Sequence, residues 1–184
     1  MGEEGTAIAT WANAITVTRV LASPFLFAIL PSDSRGSWVA FIVWVLLCVS
    51  DLVDGRIARW RGPTRSGAFL DPLADKILVL GAMFTLVSRG IFWLLPVSII
   101  AGREILVSVY RVVVGAKGVS VPASTLAKWK TLFQQLAVGF AIAPLTTSDA
   151  TWLWLFFLWA SVVLTLVTGA QYAWYASRPK GAAA

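Results

Sequence analysis

Four aspartates carry the chemistry legible in this chain of 184 residues. Asp51 and Asp54 stand three apart at the end of one apolar run, and Asp71 and Asp75 stand four apart at the start of the next. On a helix, positions i, i+3 and i, i+4 share a face with Cβ atoms about 5–6 Å apart, so each helix presents a carboxylate pair. The link Arg61-Gly62-Pro63-Thr64 is short and turn-rich, which predicts antiparallel, adjacent helices with the pairs facing each other at similar depth. An ionised carboxylate inside a membrane helix costs roughly 2.5–3.5 kcal/mol, and four like charges in one place repel unless a cation sits among them. Two divalent ions about 3.5–4 Å apart would offset that repulsion and form a clamp for phosphoryl transfer. The chain has no histidine, so imidazole acid–base catalysis and His-ligated zinc are excluded. Oxygen donors favour Mg²⁺, Mn²⁺ or Ca²⁺.

Two other readings compete. In a purely structural one, each aspartate pairs with a nearby cation, for which Arg56, Arg59, Arg65 and Lys76 are available. In the other, the carboxylates line a pathway for divalent cations in a transporter. Gly55 directly after Asp54, and Gly67 four residues before Asp71, weigh against both. A missing side chain there lets a bulky ligand approach the backbone.

The elements that must position these residues are apolar helices. Hydrophobic residues make up 58% of the chain and charged ones 13%, against about 45–50% and 25% in soluble domains, and the mean hydropathy is +0.79. A hydrocarbon core of ~30 Å needs roughly 20 apolar residues per helix, so six helices and short loops account for the whole length as a single domain, residues 1–184. The runs predict an all-α integral membrane bundle of six transmembrane helices over 11–30, 38–58, 67–88, 91–114, 123–145 and 151–176, with a short interfacial helix in 2–10. The acidic start, Glu3 and Glu4, lacks the basic stretch of a signal peptide, so the N-terminal segment is expected to stay. Cys48 lies in an apolar run and reads as a packing residue.

Basic residues set the orientation. Arg59, Arg61 and Arg65, then Arg111, Lys117 and Lys128, then Arg178 and Lys180, fall on one side, and only Arg35 and Arg89 fall on the other. The positive-inside rule then places both termini and the aspartates in the cytoplasm, in a multi-pass protein of the plasma (inner) membrane. The net charge of +6 fits this bias and anionic headgroups. Nucleic-acid binding is not expected, because the cations are scattered among hydrophobic spans. Most of the ten tryptophans, among them Trp38, Trp60, Trp93, Trp129, Trp152 and Trp174, lie near span ends and read as an aromatic belt.

The stretch Asp51-x-x-Asp54-Gly55-x-x-Ala58-Arg59, seven residues, then Gly67-x-x-x-Asp71-x-x-x-Asp75, resembles the signature of the CDP-alcohol phosphotransferase family. The likeness extends over essentially the whole chain, and the intervening stretch of seven is short for that family. Asp71-Pro72-Leu73-Ala74-Asp75-Lys76, Gly102-Arg103-Glu104-Ile105 and Lys128-x-Lys130-Thr131 are similar to motifs of its phosphatidylglycerophosphate synthases.

The resemblance implies two divalent cations, Mg²⁺ or Mn²⁺, shared by Asp51, Asp54, Asp71 and Asp75, with Asp75 also the general base. It implies a CDP-lipid pocket bordered by Gly55 and Ala58, reached by Arg59 and Thr64, admitted by Gly67, and completed by Asn13 and Thr16 of the first helix. A helix-capping role for Asn13 stands beside that one. The substrates implied are CDP-diacylglycerol, entering laterally among membrane lipids, and glycerol 3-phosphate, with Arg103, Arg111, Lys128 and Lys130 for the acceptor phosphate; the products are phosphatidylglycerophosphate and CMP. Inositol phosphate, phosphatidylglycerol or serine are the alternative acceptors, and the cations argue for a phosphorylated one. Members of the family are often homodimers, an expectation carried over here.

Overall fold

The computed structural model describes the backbone of residues 3–33, 35–61, 67–116, 125–146 and 150–177, and the side chains of 16–33, 35–50, 73–115, 126–146 and 150–174. Six α-helices follow one another: α1 (Glu3–Ile29), α2 (Trp38–Arg61), α3 (Gly67–Ser88), α4 (Leu94–Ala116), α5 (Thr125–Ile142) and α6 (Thr151–Ser177). The described residues include no strand. Among the described residues, the expected number and order of helices hold, and one of them, α6, is long and apolar enough to span a membrane.

The differences lie at the ends. The separate helix expected over 2–10 is part of α1, which runs unbroken from Glu3. Ala7, Ala9, Ala12 and Ala14 are strong helix formers, and nothing between them and the core breaks the ladder. Pro24 lies inside α1, and the hydroxyl of the preceding residue, Ser23, donates to the Arg19 carbonyl at 2.8 Å. The start of α4 falls at Leu94 instead of Ile91 because Gly90, at φ 73°, turns the chain after α3. The Ile91 amide donates to the Leu86 carbonyl at 3.0 Å and the Gly90 amide to the Val87 carbonyl at 3.0 Å, the two bonds of a Schellman stop. The end of α5 falls at Ile142, not 145, since Pro144 has no amide to continue it.

The helices alternate in direction, and two contacts tie together the end of the bundle remote from the aspartates. The Arg89 guanidinium, just past α3, donates to the Phe27 and Ala28 carbonyls at 2.9 and 3.2 Å, capping α1. The Ser37 amide donates to the Ile142 carbonyl at 2.9 Å, joining the start of α2 to the end of α5. Gly36 makes that junction possible: its φ is +72°, and a Cβ would lie 2.8 Å from both the Ile142 oxygen and the Pro144 nitrogen. Helices α2 and α3 both pack on α1 and on α5, and α6 packs on α4 and α5. At Gly81 the ring of Phe27 lies against the α3 backbone, where a Cβ would come within 2.3 Å of its Cζ.

One core runs through the bundle, with Leu26, Trp44, Leu78, Met83, Ile100, Val138 and Leu158 all within it. The Trp44 indole donates to the Gln135 carbonyl at 3.2 Å, and Cys48 packs against this core as expected. The outer faces are also apolar. Val17, Leu21 and Phe25 of α1, Val39, Ile42, Leu46 and Val49 of α2, and Leu106, Val109 and Val113 of α4 are exposed at helical spacing. Arg19, Glu104 and Lys130 are buried. Apolar outside and charged inside is the inverse of a protein built against water, and it fits a lipid solvent. Within α6, Thr151–Trp174 is long and apolar enough to cross a membrane; Thr16–Ile29 and Trp38–Ser50 are shorter apolar stretches. Trp38, Trp93, Trp129, Trp152 and Trp174 are exposed, as a belt requires; Trp60 lies outside the described side chains.

Candidate active site at the polar end of the bundle

The alternation of direction brings the C-terminal halves of α2, α4 and α6 together with the N-terminal halves of α1, α3 and α5. On α2, helical backbone is continuous through Asp51, Asp54, Gly55, Ala58 and Arg59; on α3 it is continuous through Gly67, Asp71 and Asp75. The two backbone positions of each pair are therefore on one helical stretch at the spacing that shares a face. The side chains of Asn13, Asp51, Asp54, Ala58, Arg59 and Asp71, the surroundings of Gly55 and Gly67, and the whole of Thr64 lie outside the described residues, and with them the meeting of the two pairs. Asp75 is described: it is half-buried, and its charge reaches Lys76 and Lys130 of α5. A set of four carboxylates on two helices is a hard-oxygen set of the kind that fits Mg²⁺ or Mn²⁺.

Helix α1 contributes Thr16, which is buried, and three residues on, Arg19, which is 1% exposed. The Arg19 Nη2 lies 3.5 Å from the Ser50 Oγ, next to Asp51. Arg19 stands outside the motifs of the sequence. A signal was available, because Asn13, Thr16 and Arg19 recur every three residues and so share a stripe of α1, with a lone cation in an apolar run.

Three helices, α4, α5 and α6, build a buried cluster of cations around one carboxylate. Arg103 and Glu104 sit at the middle of α4, and the Glu104 Oε1 accepts from Arg103 Nη1 at 3.2 Å and from the Lys130 Nζ of α5. The Lys130 side chain is 3% exposed, so this is a charge pair withdrawn from solvent. From α6, Tyr172 offers its ring to two cations: the Arg103 Cζ lies 5.4 Å from its centroid and the Arg111 Cζ 5.9 Å, both within cation–π range. Tyr110 meets the same ring edge-on, 6.5 Å between centroids. The stem of Arg103 crosses α6 at Gly169, where a Cβ would lie 3.4 Å from its Cγ. Glu104 occupies Nη1 only, and Arg103 Nε and Nη2 are buried without a hydrogen-bond partner. These two nitrogens form the side edge of the guanidinium, which matches the spacing of two phosphate oxygens.

Of the four cations expected at an acceptor phosphate, the structure thus brings Arg103, Arg111 and Lys130 around Glu104 and Tyr172. Lys128 is exposed. It stands two residues from Lys130, and helix positions i and i+2 do not face each other. Tyr172 and Tyr110 were not legible beforehand, since an aromatic residue near a span end carries the same sequence signal whether it faces lipid or a guanidinium.

Residues 9–167 match the family model described as CDP-alcohol phosphatidyltransferase. The chain belongs to the CDP-alcohol phosphatidyltransferase family. It is 32% identical, over 87% of its length and 92% of the relative's, to the CDP-diacylglycerol--glycerol-3-phosphate 3-phosphatidyltransferase of Cereibacter sphaeroides. It is 35% identical to a probable phosphatidylglycerophosphate synthase of Mycobacterium tuberculosis, over 95% of this chain and 85% of that one. To the 3-phosphatidyltransferase of Haemophilus influenzae it is 36% identical, over 68% of this chain and 71% of the relative. All four aspartates, Arg103, Arg111, Lys130 and Gly55 fall within the matched family region, as does Thr16 but not Tyr172.

Proposed function

We propose that this chain is a membrane enzyme that transfers the phosphatidyl group of CDP-diacylglycerol to glycerol 3-phosphate, releasing CMP and phosphatidylglycerophosphate. The relatives' names support the donor and the acceptor. The observation that carries the reading is the buried Arg103–Glu104–Lys130 cluster, with an open guanidinium edge, in electrostatic reach of Asp75. A phosphorylated alcohol held there would bring its hydroxyl toward a carboxylate.

In this reading Asp51, Asp54, Asp71 and Asp75 would hold two Mg²⁺ or Mn²⁺ ions, which when bound supply charge neutralisation at the pyrophosphate and acidify the acceptor hydroxyl. Asn13, Thr16, Gly55, Ala58, Arg59, Thr64 and Gly67 border the CDP-lipid. Asp75 takes the proton of the acceptor hydroxyl; that oxygen bonds to the lipid-side phosphorus, and the bond from this phosphorus to the bridging oxygen breaks, so that CMP leaves with the electron pair. Arg103, Arg111 and Lys130 hold the acceptor phosphate, and the Tyr172 ring positions the Arg103 and Arg111 guanidinium groups. Lys128 contributes long-range attraction only. All six helices cross the plasma (inner) membrane, both termini and the site face the cytoplasm, the acyl chains stay in the bilayer, and the protein works as a homodimer.

The test is CMP release from CDP-diacylglycerol by purified protein, with glycerol 3-phosphate, inositol phosphate, phosphatidylglycerol and serine as acceptors, with and without chelator. Release with glycerol 3-phosphate alone, abolished by chelation and restored by Mg²⁺ or Mn²⁺, is the expected result. Turnover confined to another acceptor would overturn the assignment. In the same assay Arg103→Ala should raise the apparent KM for glycerol 3-phosphate by about 10- to 100-fold, the loss of a charge-assisted bidentate contact. An unchanged KM would remove Arg103 from the acceptor site.

A further inference from the structure

Behind the ion cluster, on the side away from solvent, the interior remains polar where the fold itself gives no reason for it. Gln134 of α5 is 3% exposed and its Nε2 is buried without a hydrogen-bond partner. Thr165 of α6 is fully buried, and its Oγ1 likewise has no partner. Buried amide and hydroxyl groups are nearly always satisfied, and each exception needs an explanation. Packing alone would favour leucine at both positions.

Register shows where these groups lie. Gln134 is four residues beyond Lys130 on α5, so it shares that residue's face about 6 Å further from the polar end. Thr165 is four residues before Gly169 on α6, the glycine that Arg103 crosses, and because α6 runs back toward the polar end, Thr165 also lies one turn deeper. Helices α5 and α6 pack directly on each other. The unpartnered buried donors on α4 and α5 are therefore Arg103 Nε and Nη2 and Gln134 Nε2, the last one turn beyond Lys130, on helices that Glu104 ties together.

Resting on the acceptor reading above, we infer that Gln134 is a further acceptor-binding residue, whose carboxamide Nε2 donates a hydrogen bond to an oxygen of the phosphorylated alcohol seated on Arg103 and Lys130. A neutral amide suits this depth. A third cation would add desolvation cost without a second carboxylate to balance it, while an amide discriminates between acceptors by the oxygens they place against it.

Gln134→Met keeps the length of the side chain and removes the donor. It should raise the KM for glycerol 3-phosphate about tenfold or more, leave the KM for CDP-diacylglycerol within about twofold, and leave the melting temperature of the detergent-solubilised protein unchanged. Protection of the protein against thermal unfolding by glycerol 3-phosphate, measured without turnover, should weaken in parallel. Weakened protection by inorganic phosphate as well would put the amide on the phosphate; weakened protection by glycerol 3-phosphate alone would put it on a glycerol hydroxyl. Either outcome supports the inference. An unchanged acceptor KM and full protection would overturn it, as would an equal rise in both KM values, which marks a packing role. Failure of the acceptor reading looks different: the wild-type protein itself would then be neither turned over nor protected by glycerol 3-phosphate.

Discussion

Asp75→Asn is expected to lower phosphatidyl transfer by at least about 10²- to 10⁴-fold, the usual contribution of a positioned general base, while binding of CDP-diacylglycerol changes by no more than a few fold. Asparagine keeps the shape of the side chain within α3 and removes both the proton acceptor and one negative charge. Asp75 acts on Lys76 and Lys130, so the pocket becomes more positive in the variant, and glycerol 3-phosphate should bind at least as well as before. That combination, lost turnover with retained affinity for both substrates, separates a base from a residue that merely holds the acceptor. CMP release measures the first, and thermal protection by each substrate the second. Turnover at the wild-type rate would refute the assignment.

The other large effect is on stability. Glu104→Ala is expected to destabilise the protein by about 3–5 kcal/mol, because removing one partner of a buried ion pair leaves the other charge uncompensated. Here two cations lose their anion at once: Lys130, whose side chain is 3% exposed, and Arg103 at Nη1. Glu104→Gln keeps an oxygen acceptor and should cost less. In the double variant Glu104→Leu with Lys130→Leu, the unpaired charge on α5 disappears and apolar contacts replace it, so most of the stability should return while transfer does not. Thermal unfolding in detergent together with CMP release would check this. A double variant no more stable than Glu104→Ala would show that the ion pair contributes no specific balance, and that the loss comes from packing.

On the function proposed above, the charges of the Glu104 cluster have a functional as well as a structural role. A bundle held in lipid has no need of them for packing: the core of Leu26, Leu78, Met83, Ile100 and Leu158 supplies that. Glu104 holds Lys130 and one end of Arg103 and leaves the other edge of the guanidinium open. The anion thus organises the cluster and leaves that edge without a partner. The same economy holds on α1, where Arg19 reaches Ser50 beside the first aspartate and ties the helix that carries Asn13 and Thr16 to the one that carries Asp51.

Much of this protein is readable without coordinates, for local physical reasons. Helix number and order follow from the length of apolar chain that spans a bilayer, and α2, α3 and α6 begin where the hydrophobic runs do, at Trp38, Gly67 and Thr151. The pairing of Asp51 with Asp54 and of Asp71 with Asp75 follows from helical period alone, because residues three or four apart share a face whatever the rest of the chain does. Helix ends were less legible where a non-helical hydrogen bond decides them, as at the Gly90 stop before α4. Which cation faces the site could not be read locally at all. Lys128 and Lys130 carry the same charge in the same motif, and only the tertiary structure sets one against Glu104 of α4 and leaves the other exposed. Tyr172, Gln134 and Arg19 were invisible for the same reason. A side chain in an apolar helix looks alike in sequence whether it points to lipid or to the interior, and the direction is settled by which neighbours the tertiary structure sets against it.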